Sequence, residues 1–326
     1  MAYCADSDSN GPSEKDYLHC EVPLTPQTSA ESSNPVTEIL QLLQHRRTGT
    51  GANEEPWIEV KLNPSQYNAL ISAIEQDEAL RSYFEEQVKY DYNPTTCKFA
   101  VRMLSRCHEV FLGAVTDEIG FQFRQMSLEA KDAEERSFLR KIKFMGSADV
   151  PLISPGQESA GKGKRCPDAQ FGPQGTNFPG VIIEVAYSHK NLPELAKDYI
   201  VRSRGRTRAM IGFDIAYGKA NNKNATMSKW VDQWYTRANG LRGVREVFEV
   251  DHQIFRNKDG TAIDCSTAGL KINLSEFAAG IDIPAGLLGK EIFIPAATLA
   301  EYLGDAEISK AGELVWTERE LEAGST

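Results

Sequence analysis

The 326-residue sequence predicts a mixed α/β (α+β) domain, a mixed β-sheet flanked by helices. Three observations carry that expectation. Val101, Leu104, Phe111, Val115, Ile119 and Phe123 recur at helical spacing and define one apolar stripe. Strand-like runs then follow one another over short links up to Val185, which implies antiparallel pairing. Finally, an apolar run at 181–185, an amphipathic segment at 192–204 and a second apolar run at 209–217 form a strand-helix-strand step. A step of that kind demands a parallel crossover.

Taken in order, residues 1–55 are rich in Ser, Pro, Thr, Asn and Glu and poor in large apolar residues, the composition of a disordered, acidic and polar tail. Within it Val36–Arg46 can form a short helix with Ile39, Leu40, Leu42 and Leu43 on a broad apolar face, able to dock on the body or on a protein partner. A single domain spans 56–326. It opens with a strand at Trp57–Leu62, a turn at Asn63-Pro64-Ser65, a helix carrying Tyr67, Leu70, Ile71 and Ile74, and a second helix over 78–89. Asn93-Pro94 breaks the chain, and the helical stripe then runs to about Met126. Leu139–Gly146 reads as a strand with 147–153 as its hairpin partner, and 156–164 reads as a polar, glycine-bearing loop. Weaker strands follow at 228–235, 246–255 and 270–274, then an edge-like stretch at 280–284 and a short helix at 299–303; the part from 275 onward reads as a β-rich extension.

The stretch Arg165–Lys190, RCPDAQFGPQGTNFPGVIIEVAYSHK, stands out from this scaffold. Period-two alternation places Glu184, Ala186 and Ser188 on one face of its strand and Ile183, Val185 and Tyr187 on the other. A carboxylate inside a β-branched run is costly to bury unless a positive or hydrogen-bonding group meets it. Asp168, on a neighbouring strand, supplies a second carboxylate. The natural partner of such a pair is a divalent cation, because hard cations prefer oxygen ligands. The bland alternatives are that Asp168 caps a turn and that Glu184 pairs with a nearby lysine or arginine.

Charge distribution bears on partners. The net charge is −10, yet residues 158–245 hold 15 Lys/Arg against 7 Asp/Glu, while residues 1–60 hold 3 against 10 and residues 246–326 hold 6 against 15. The basic middle surrounds the two carboxylates and suits an anionic partner, or else solvates helix and loop surfaces. Arg202, Arg204, Arg206 and Arg208, at two-residue spacing around Gly205, either track a phosphate backbone or decorate a solvated turn. Trp230 and Trp234 either stack bases or fill a core. The six cysteines are scattered without a C-x-x-C pair, which favours a reducing compartment over disulfides or zinc. With neither a leader-like start nor a bilayer-length apolar run, the expectation is an intracellular protein, cytoplasmic or nuclear, with no membrane partner.

Pro167-Asp168, followed 16 residues later by Glu184 at the end of an apolar strand, resembles the PD-(D/E)xK restriction-endonuclease-like superfamily. The wording EVAYS with a following L-x-x-L-A-x-x-Y-I helix is closer still to the Uma-type bacterial proteins and an uncharacterised group of fungal proteins. Arg102–Glu109 (RMLSRCHE) is similar to their opening helix, which tends to bring His-Glu near the site, so the resemblance covers about 101–274. It implies a restriction-endonuclease-like fold and Mg²⁺-dependent hydrolysis of phosphodiester bonds in DNA. Asp168, Glu184, Glu109 and the main-chain carbonyl of Val185 would hold the ion, with a lysine to orient water or offset charge. The chain departs from the pattern at Ala186, where that lysine is expected. The resemblance then implies a lysine from the next helix, Lys197 first and Lys190 second. By spacing alone, His108 falls in the apolar stripe as a core histidine would, and Glu109 falls beside it, toward solvent. Ser188 and His189 make a poor nucleophile-base dyad, because adjacent strand residues point to opposite faces. The alternatives to a nuclease are a non-catalytic nucleic-acid-binding module and a protein-interaction module on the same fold.

Overall fold

The computed structural model describes residues 34–49, 57–102, 105–153, 160–186, 190–216 and 222–323, which form eight helices and thirteen strands in three sheets. Helix α1 (Pro35–Thr48) buries Val36, Ile39 and Leu43. Strand β1 (Trp57–Lys61) leads to α2 (Pro64–Gln76), whose start is set by a reciprocal Asn63–Gln66 capping box with Pro64 in the first turn. Asp77 caps α3 (Glu78–Gln87) by accepting from the Leu80 N–H. Strands β2 (Lys89–Asn93) and β3 (Lys98–Arg102) form a hairpin, and these helices cover it around Leu62, Tyr67, Leu70, Tyr92 and Phe99. The Tyr67 and Tyr92 rings stack with centroids 3.8 Å apart.

Ser105 caps the long helix α4 (Arg106–Glu129), and Asp132 caps α5 (Ala133–Lys141). Then come β4 (Ile142–Phe144), β5 (Val150–Ile153), β6 (Ala160–Arg165), β7 (Ala169–Pro173) and β8 (Val181–Ala186). Helix α6 (Leu192–Arg202) crosses over to β9 (Ala209–Ile215), followed by the long hairpin β10 (Ala225–Thr236) and β11 (Arg242–Arg256). Strand β12 (Gly269–Asn273), the one-turn α7 (Leu274–Phe277), β13 (Glu291–Pro295) and α8 (Ala296–Ala323) complete the described chain.

The sheets order as β1-β3-β2-β6-β5, as β11-β10-β9-β8-β7-β4, and as the pair β12-β13. The first and third are antiparallel; the second is mixed, because β8 and β9 run parallel across the α6 crossover. Strand β8 is buried on both faces. Val181, Ile183 and Val185 face a core shared with Phe111, Phe213, Phe255 and Leu299. Ile182 and Ala186 face Leu195, Ala196 and Tyr199 of α6. Gly180 lets β8 start hard against α7, since a Cβ there would lie 2.4 Å from the Glu276 carbonyl oxygen.

The mixed α/β class and the parallel crossover are as expected, whereas several elements differ. The short helix expected at Val36–Arg46 forms over Pro35–Thr48 and is packed, so this part of the expected 1–55 tail is ordered; residues 1–33 lie outside the described residues. The helix expected from Val101 starts at Arg106, because 98–102 pairs with both β1 and β2 as a central strand. Residues 139–141 finish α5 rather than beginning a strand. Strand β5 does not pair with β4: it joins β6 in the other sheet, so part of the expected loop at 156–164 is strand. The C-terminal extension is not β-rich, since α8 runs 28 residues and packs its first turns on α4.

Candidate active site

Asp168 and Glu184 come together because of how the β7–β8 ladder ends. Backbone pairing stops at Ala169 opposite Ile183. Pro167 has no N–H to continue it. The Asp168 carboxylate takes over, with Oδ2 accepting the Val185 N–H at 2.7 Å. Glu184 projects from the adjacent strand on the α6 face, and both side chains are about 1% exposed.

One ammonium joins them. Lys190 Nζ donates to Asp168 Oδ2 and, at 2.6 Å, to Glu184 Oε2. Lys190 therefore occupies the place next to both carboxylates that the pattern leaves empty at Ala186, which is itself buried against α6. Lys197 is not at this centre. It lies on the exposed face of α6, because Leu195, Ala196 and Tyr199 turn the other faces inward. Tyr199 completes the Glu184 contacts by donating from its hydroxyl to Oε1 at 2.6 Å.

A second cation arrives from the first sheet. Arg102, 3% exposed at the end of β3, donates through Nη1 to Asp168 Oδ1 at 2.9 Å and lies 3.5 Å from Glu184 Oε2. Its Nη2 donates to the Cys166 carbonyl and, at 3.3 Å, to Asp91 Oδ1. Asp91 also accepts the Cys166 N–H at 2.8 Å. Beyond it lies a buried relay in which Arg165 donates to Asp198 at 2.6 Å and Arg202 donates to Asn93 at 2.9 Å. Arg202 is thus part of the internal ion network rather than a surface cation. Arg204 and Arg206 are exposed, and Arg208 is half-buried, 3.9 Å from Asp232.

His108 and Glu109 divide their roles. His108 is buried, with Nε2 3.0 Å from Asp168 Oδ2 and Nδ1 3.2 Å from Glu109 Oε1. The imidazole therefore stands between Glu109 and Asp168, and the Glu109 side chain is 54% exposed. Glu109 is not a third carboxylate beside the pair. His108 is buried, as its place in the apolar stripe indicated, and its ring also meets Asp168.

The titration directions follow from this packing. Burial raises the Asp168 carboxyl, but Lys190, His108 and Arg102 outweigh burial and hold it well below the usual carboxylate range. Burial, with the Asp168 charge beside it, leaves Glu184 raised despite Lys190 and Arg102. Burial alone would lower His108, and Asp168 with Glu109 raises it instead. A group raised in the fold stabilises fully below its unfolded value of 6.5 and loses that contribution as pH rises through the folded value. Stability should therefore decline above pH 6.5, and His108→Gln should flatten that part of the curve in urea unfolding measured between pH 5 and 9. An unchanged pH profile in the variant would remove His108 from the ionised network.

Among the described residues, no group of three His, Cys, Asp or Glu side chains is arranged to hold a metal ion. The donor set is the two carboxylates of Asp168 and Glu184. Because a single Nζ contacts both Oδ2 and Oε2, these oxygens converge on one cation position. That fits Mg²⁺, which is commonly bound through one or two carboxylates plus water and phosphate. The fit requires Lys190 to yield that position. Ser188 and His189 lie outside the described residues. Trp230 is core, 2% exposed, whereas Trp234 is 42% exposed. Comparison with known families found no family model that matches the chain, and comparison with curated proteins found no relative. None of the described helices is long and apolar enough to cross a membrane.

Proposed function

We propose that the Asp168–Glu184–Lys190 centre belongs to a Mg²⁺-dependent, nuclease-like phosphodiester hydrolase of restriction-endonuclease-like fold acting on DNA. The observation that carries this reading is the one ammonium shared by two buried carboxylates on neighbouring strands. The order of α4, β4, β7, β8, α6 and β9 around the pair supports it. Asp168 and Glu184, with the Val185 carbonyl, would hold the ion, which when bound polarises a phosphoryl oxygen and lowers the pKa of a water.

The protein's own groups have separable roles in this reading. Arg102 and the Val185 N–H fix the Asp168 carboxylate, and Tyr199 fixes Glu184. Lys190, moved off the carboxylates, offsets charge on the phosphorane-like transition state. His108, on α4, lies against Asp168 Oδ2, whereas Arg102, on β3, meets Oδ1.

A second reading, a non-catalytic nucleic-acid-binding module, is favoured by a specific observation. All four carboxylate oxygens already accept from Arg102, Lys190, Tyr199 or Val185. The deciding experiment is cleavage of single- and double-stranded DNA with Mg²⁺, Mn²⁺ or EDTA. Asp168→Asn and Glu184→Gln should each lower metal-dependent cleavage by about 10²–10³-fold or more. If Asp168→Asn cuts as fast as the wild type, the site assignment fails. Salt-sensitive binding without turnover in any metal selects the second reading.

A further inference from the structure

We infer that the groove between α4 and the outer edge of β4 docks an extended acidic segment of a partner protein, which joins the sheet as a further strand. The inference is independent of the nuclease reading. Strand β4 ends the second sheet, and β7 is its only strand partner among the described residues. The ladder between them tells which main-chain groups face outward. Met145 donates its N–H to the Gln170 carbonyl at 2.9 Å, and Gln174 donates to that of Lys141 at 2.8 Å. Lys141, Lys143 and Met145 therefore turn their main-chain groups to β7. The alternate residues of an antiparallel pair, here Ile142 and Phe144, turn theirs away. Pro173, opposite Ile142, has no N–H that could alter this pattern.

Beside this edge runs a groove of about 660 Å³. Its floor is apolar, made by the buried Phe123, Leu139, Ile142 and Phe171. Leu128 of α4 and Phe144 of β4 stand at its mouth, 76% and 55% exposed. Phe144 lies over Phe171, with ring centroids 5.3 Å apart. Shortness and a lysine are ordinary protections of a sheet edge, but an exposed phenylalanine over an apolar groove works against them.

The rim sets the charge of the occupant. Arg124, Arg140 and Lys143 line the groove and are exposed. From 136 to 143 the chain carries Arg136, Arg140, Lys141 and Lys143 and no acidic residue. Among the described residues, Arg140 and Lys143 have no ion-pair partner. Asp117 is the acidic member of the lining, 3.6 Å from Arg124. An extended acidic peptide answers all of this at once. Its main chain pairs with the edge, alternate apolar side chains enter the groove, and its carboxylates meet the cations. A nucleic-acid strand would answer the cations but brings no ladder of N–H and C=O groups, and Leu128 offers its bases no stacking surface. A second copy docking through the same face would set these cations against their own equivalents.

The test is fluorescence anisotropy of the full chain with a labelled peptide alternating glutamate with phenylalanine or valine. Two further versions are N-methylated at alternate residues, one in each register. The parent should bind saturably; one methylated register should bind about tenfold more weakly, because only one row of N–H groups faces β4, and the other should bind as the parent does. Arg140→Glu with Lys143→Glu should weaken binding about tenfold or more, and should gain binding of the peptide with lysine in place of glutamate. Both side chains are exposed, so an unchanged melting temperature shows that this variant is folded. Phe144→Asp should weaken the parent peptide as well. The inference is overturned if the parent peptide does not bind, if both methylated registers behave alike, or if the folded charge-reversed variant keeps its affinity. It is also overturned if a DNA oligonucleotide, rather than the peptide, loses affinity on these substitutions, or if sedimentation shows a dimer that Phe144→Asp dissociates.

Discussion

Replacing Arg102 by Met should cost about 3–5 kcal/mol of folding stability, the range for removing one partner of a buried ion pair. The side chain would remain of similar length and still fill most of its space. What is lost is the cation that Asp91 and Asp168 both face, together with the donor to the Cys166 carbonyl. Arg102 ends a strand of the first sheet, and Asp168 precedes a strand of the second, so this guanidinium ties the sheets at the candidate site. Urea unfolding would register the effect as a fall in midpoint with little change in slope. Lys197→Ala is the matched surface control and should stay within about 0.5 kcal/mol. A loss below about 1 kcal/mol for Arg102→Met would mean that the carboxylates do not depend on it, contrary to the expectation for a buried pair.

Replacing Lys190 by Met tests the cation position itself. Asp168 and Glu184 would then share Arg102 as their charged partner, with His108 beside Asp168, and the variant should lose stability in the same range of about 3–5 kcal/mol at neutral pH. The pH dependence has a definite sign. Glu184 is raised in the fold by burial and by Asp168, and Lys190 is the largest influence holding it down. Without Lys190 the pair binds a proton more readily. The protonated form is the stable one, so stability is retained at low pH and lost as pH rises through the folded value. The variant should thus be closest to wild type in mild acid and furthest from it in mild base. If the carboxylates hold a divalent ion, Mg²⁺ or Mn²⁺ should raise the melting temperature of Lys190→Met more than that of the wild type, because binding to the native state stabilises by mass action. Equal shifts in the two proteins would count against a metal at this centre, whatever a cleavage assay gives.

These expectations separate what was readable from what was not. Pro167-Asp168 was legible through the family pattern it resembles, and Glu184 because a carboxylate in a β-branched run needs a partner. The α6 stripe and the parallel step to β9 were legible because 3.6-residue and two-residue periods differ sharply. Strand β3 was not. Val101 and Leu104 continue the apolar spacing of α4, and only pairing with β1 and β2 pulls 98–102 into a sheet.

The sequence by itself determined the mixed α/β class, the two carboxylates, the crossover between β8 and β9, and a basic middle flanked by acidic ends. Tertiary structure alone decided which cations meet those carboxylates. Lys190 precedes α6 and meets both carboxylates, whereas Lys197, seven residues on, lies on the exposed face of that helix. Arg102 lies 66 residues from Asp168 and reaches it because the first sheet abuts the second. Trp230 and Trp234 lie on the same face of one strand, yet only the first is buried in the cluster that α6 forms on it. Local periodicity specifies a residue's face; the elements packed on that face specify its partner.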